Sequence, residues 1–164
     1  MIGDLTPPRG LWVIVTSYVV ALALTIWPLP QWAEALRPVW VPLVTIYWCL
    51  WLPQRVGVIT AFVAGLLVDT LSGTLLGEHA LALIVVAWAA LWLHLQVRVY
   101  PWWQQCVVVL GLLCLNTFLL FWVDGMLGYT VNPAVRWLPP VVSAVLWPWV
   151  MQVMSRLQQR YHVS

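Results

Sequence analysis

The chain has 164 residues, of which 63% are hydrophobic and 7% charged, with fourteen tryptophans, no lysine and a formal net charge of +2. Its apolar runs match the ~30 Å hydrocarbon core of a membrane, and a mean hydropathy of +0.92 leaves hardly anything for a soluble domain. So small a charge, with no basic run and no basic–aromatic interleaving, argues against nucleic acid as a partner.

The predicted fold class is an all-α polytopic membrane protein. It is a bundle of about six transmembrane helices making one integral membrane domain over residues 1–164. The first span, 11–27, is closed by Pro28 and Pro30. Ala33-Glu34-Ala35 behind it imitates a signal-peptidase site. The apolar run is long for a signal h-region, however, and two prolines and a tryptophan intervene, so the helix is read as uncleaved. A second span, 39–52, lies between Arg37-Pro38 and Pro53, with Pro42 in its first turns, where proline is tolerated. The third covers 57–72, the fourth 79–97 and the fifth 104–123. The sixth, 137–154, opens on Pro139 and Pro140, and Pro148 predicts a kink or an early end. These runs are continuous rather than alternating, which excludes a lipid-facing barrel. Short loops between them imply antiparallel neighbours.

Charge orients the bundle. With the N-terminus cytoplasmic, Arg9, Arg55, Arg98, Arg156 and Arg160 fall inside, whereas Arg37 and Arg136 fall outside beside Glu34, Glu78 and Asp124. That bias follows the positive-inside rule, and an even number of spans puts both termini in the cytoplasm. In the tail, 155–164, Arg156 and Arg160 stand four apart on one helical face and read as an anchor on anionic membrane lipid. The tryptophans mark membrane–water interfaces. Cys49, Cys106 and Cys114 lie in apolar stretches without a CxxC or a histidine at ligand spacing, so they read as small buried hydrophobes.

Asp69 is the sole ionised side chain in the apolar stretch 56–76, where an acid needs a specific reason. Ala61, Gly65, Asp69 and Gly73 recur every fourth residue and share a face if the helix runs that far. Two readings stay open. One is a polar, small-residue seam that docks a partner helix or holds an internal network. The other is a carboxylate that accepts from Thr70, Ser72, Thr74 or loop N–H groups and shapes the helix end. Asn116-Thr117, in mid-span, is suited to an interhelical hydrogen bond, and His94 to an interface position. His79 pairs with Glu78 at the outer entrance of the fourth span, with no further ligand at i+4. No catalytic set, metal site or cofactor site is assembled from these residues, so the expected protein is not an enzyme.

The run from Arg55 and Gly57 through Ala61, Phe62, Gly65, Asp69, Gly73 and Gly77 to His79-Ala80-Leu81 resembles the central signature of the rod shape-determining MreD family. Upstream, Arg37-Pro38 followed by an apolar span with Tyr47-Trp48 is similar to that family too. The specific part covers 37–81, and the remainder agrees in size and hydropathy.

What the resemblance implies is a non-enzymatic bacterial inner-membrane scaffold of the cell-elongation machinery for peptidoglycan synthesis, without a cofactor. It would bind the transmembrane helix of MreC and link MreB to RodA and its class B penicillin-binding protein. A second copy of the chain in place of the MreC helix, giving a homodimer, stays open as the alternative. Its fold would be similar to the six-helix substrate-binding components of energy-coupling-factor transporters, so a small-molecule-binding component of a vitamin-type transporter is the competing expectation. For the scaffold, the face of the second and third spans, with the Asp69 seam, is expected to carry the docking. The seam residues are Asp69, Gly65, Gly73, Gly77, Ala61, Arg37, Tyr47, Trp48, Arg55, Gly57 and Phe62.

Overall fold

The computed structural model describes residues 10–129 and 132–161, so Arg9 lies outside the described residues. In chain order the helices are α1 (Leu11–Ile26), α2 (Gln31–Glu34), α3 (Trp40–Trp51), α4 (Val58–Ser72), α5 (Glu78–Val97), α6 (Trp102–Leu127), α7 (Pro133–Arg136) and α8 (Leu138–Arg160). No strand occurs among the described residues. The protein is an all-α polytopic membrane protein. α5, α6 and α8 are long and apolar enough to cross a bilayer, while α1, α3 and α4 are apolar but shorter.

Helix α3 is the hub. Its twelve residues rise only ~18 Å, short of the ~30 Å core. Every residue from Val41 to Leu50 is buried, because α1, α4, α5, α6 and α8 all pack on it. A short central helix inside a ring of others needs no lipid-facing surface, and hydropathy cannot reveal that. Tyr47 stacks on Trp51 at 5.0 Å and stands edge-on to Trp48 at 5.2 Å. The Tyr47 hydroxyl donates to Gln158 Oε1 (3.0 Å), and Trp48 Nε1 donates to Ser17 Oγ (2.9 Å). These two aromatic residues therefore tie α3 to α8 and α1.

Two arginines close helix ends. Arg37 donates to the carbonyls of Thr25 (2.6 Å) and Trp27 (2.7 Å), satisfying the C-terminal end of α1. Arg98 does the same for α3 through Leu50 (2.7 Å) and Trp51 (2.6 Å). Helix α6 runs longer at both ends than 104–123, and it places Asp124 within the helix, ion-paired to Arg136. Pro148 does not end α8, which continues to Arg160. Trp147, Val150 and Met154, buried on the core, hold the helix across the missing N–H. The arginine-bearing segment thus belongs to α8 rather than to a tail.

Candidate functional site: the Asp69 clasp and the α4 face

Helix α4 turns Ala61, Ala64, Gly65, Val68 and Asp69 inward and leaves Ile59, Phe62, Val63, Leu67 and Leu71 exposed. The inward stripe meets α5, the partner with which α4 packs most extensively. A Cβ built on Gly65 would lie 2.3 Å from Ala80 Cα, so only glycine permits this approach. The small residues are occupied within the chain.

Helix α4 stops at Ser72, and Gly73 caps it in the left-handed region (φ 66°). Gly73 therefore leaves the face shared by Gly65 and Asp69. The turn that follows curls back over the Asp69 carboxylate, which is fully buried. Oδ1 accepts from the His79 main-chain N–H (3.0 Å), from His79 Nδ1–H (2.8 Å) and from the Thr74 hydroxyl (3.2 Å). Oδ2 accepts from the Gly77 N–H (2.8 Å). Gly77 sits at φ 103°, which lets its N–H face back toward α4 as α5 begins. Four donors converging on an acceptor-only carboxylate satisfy it without water, the condition under which a buried charge is tolerated.

His79 is the functional neighbour that the sequence did not disclose. Among the described residues no hydrogen bond or ion pair joins it to Glu78, the neighbour expected from the sequence, although the two remain electrostatically coupled. Successive helix positions point about 100° apart, and His79 reaches across the turn to Asp69 instead. The serial spacing of ten residues carries no periodic signal.

The other expected residues fall in several places. Gly57 is the N-cap of α4, Arg55 lies in the loop before it, and Phe62 is on the exposed α4 face. Tyr47 and Trp48 are wholly buried, so the second span offers a partner no continuous face. Asn116 and Thr117 are buried on α6, and neither side chain hydrogen-bonds to another described residue. Asn116 instead lines a cavity of about 240 Å³ at the Asp69 end of the bundle, with Arg37, Ser72, His79 and Thr25. Arg37 Nε is buried with no hydrogen-bond partner among the described residues.

A family model described as rod shape-determining protein MreD matches residues 9–157. The chain is 30% identical over 147 residues to the rod shape-determining protein MreD of Haemophilus influenzae, covering 90% of this chain and 91% of that protein. No solved structure matches it. With the match running from the first helix to the last and including the clasp, the chain belongs to the MreD family of rod shape-determining proteins.

Proposed function

We propose that this protein is a non-enzymatic scaffold of the bacterial inner membrane that holds the elongation machinery together through contacts made inside the bilayer. The observation that carries the reading is the saturated Asp69 clasp. A carboxylate with four internal donors is committed to rigidity and has nothing left for turnover. It fixes α4 against α5 and so presents the outer face of α4 as a preformed apolar surface. Ile59, Val63, Leu67 and Leu71 recur every fourth residue along that face, with Phe62 beside them. In this reading the face receives the transmembrane helix of MreC or a second copy of the chain.

MreB on the cytoplasmic side and RodA with its class B penicillin-binding protein complete the assembly. Orientation follows from charge. Arg55, Arg98, Arg156 and Arg160 lie at the end where α3, α5 and α8 finish, and no acid joins them among the described residues. The opposite end carries Arg37 and Arg136 with Glu34, Asp69, Glu78 and Asp124. The arginine-only end is assigned to the cytoplasm, which places both termini there.

Photo-crosslinking tests the face. A crosslinker at Val63 is expected to capture MreC or another copy, whereas one at Trp88, exposed on α5, is not. Equal capture at both positions would contradict the assignment. A second reading, a small-molecule binder, is favoured by one observation: Asn116, which hydrogen-bonds to no other described residue, in the wall of the cavity beside Arg37 and His79.

A further inference from the structure

We propose that the groove between α1 and α8, floored by α3, is a binding site for one anionic phospholipid. Its acyl chain lies in the groove and its phosphate rests against Arg156 and Arg160. The groove encloses about 390 Å³ and extends along α1 from Trp12 to Leu24. Twelve residues of helix rise ~18 Å, close to the ~15 Å depth of one leaflet of hydrocarbon. A groove of that length, lined by apolar side chains, is matched by one acyl chain lying along it.

The lining chemistry agrees. Val20, Leu43, Val44, Val150 and Val153 are apolar. The α1 hydroxyls within the groove are already engaged: Thr16 donates to the Val13 carbonyl (3.2 Å), and Ser17 donates to the Ile14 carbonyl (2.6 Å) while accepting from Trp48. The floor therefore asks for hydrocarbon and offers a polar ligand nothing. At one end, Trp12 and Tyr161 meet edge to face at 4.6 Å, closing the groove with two rings suited to the headgroup level.

That same end carries the charge. On α8, Trp149 and Val153 line the groove, and Arg156 and Arg160 continue their stripe at helical spacing, level with Leu157 and Tyr161 at the groove's end. Both arginines are exposed, and neither forms a hydrogen bond or ion pair with another described residue. An apolar slot one leaflet deep, ending beside two guanidinium groups that pair with no other described residue, has the polarity of a phospholipid with a negative headgroup.

The test is native mass spectrometry of the full chain, exchanged into mild detergent and titrated with phosphatidylglycerol or phosphatidylcholine of equal chain length. Roughly tenfold more bound phosphatidylglycerol is expected, from two arginines near a surface phosphate. Arg156→Gln/Arg160→Gln should bring the two lipids within roughly twofold, and Arg156→Lys/Arg160→Lys should keep the preference. Val20→Trp, at an exposed position on the groove wall, should lower retention of both lipids. Equal binding of the two lipids by the unmodified chain would overturn the proposal. So would an unchanged preference in the glutamine variant, or a second copy of the chain held in place of lipid and lost with Val20→Trp.

Discussion

At the residue scale, Asp69 drew notice because it is solitary, and the burial of its carboxylate among four donors accounts for its presence. Removing the acceptor strands the N–H groups of Gly77 and His79, each at about 1–3 kcal/mol. Asp69→Leu is therefore expected to lower the melting temperature in detergent sharply, with Asp69→Asn intermediate. His79→Ala should cost less, because both main-chain donors still reach the carboxylate. A thermal melt that ranks His79→Ala as the most damaging of the three would contradict the clasp. The sequence exposed the acid and the nearby hydroxyl and N–H donors. It did not expose His79, since a contact made across a reversing turn has no fixed spacing.

At the scale of elements, the pairing of α4 with α5 rests on Gly65 and the backbone of Ala80. Gly65→Val would force these helices apart, at about 1–3 kcal/mol or more, and is expected to reduce resistance to proteolysis in detergent. Phe62→Ala, on the exposed face, should leave that resistance unchanged. Arg98→Ala would release the Leu50 and Trp51 carbonyls at the end of α3 and is expected to lower the melting temperature, a loss that Arg98→Gln should not fully restore. The helices were legible from apolar runs and prolines. The central place of α3 was not, because in a bilayer the residues facing lipid are as apolar as those facing the core. Gly73 shows a different limit: a four-residue spacing suggested a continuing face, whereas its left-handed cap ends the helix.

At the scale of the molecule, most of the described residues lie in helices, and the loops between them are short. Recognition in water has little surface to work with, so assembly is expected to depend on faces within the membrane. The separation of charge between the two ends was legible, since arginines near helix ends can be counted directly; which face meets which neighbour was not. A C-terminal reporter that fluoresces only in the cytoplasm is expected to be bright. A dark reporter, with an alkaline phosphatase fusion active at the same position, would invert the orientation.

The most direct test of the scaffold claim is purification of the tagged chain from its native membrane in mild detergent, followed by mass spectrometry of what remains bound. The scaffold account expects MreC together with cell-wall synthases, retained by the unmodified chain and by His79→Ala. Recovery of paired ATPases with a second membrane subunit, and no MreC, would contradict it and turn attention to a ligand in the cavity beside Asn116.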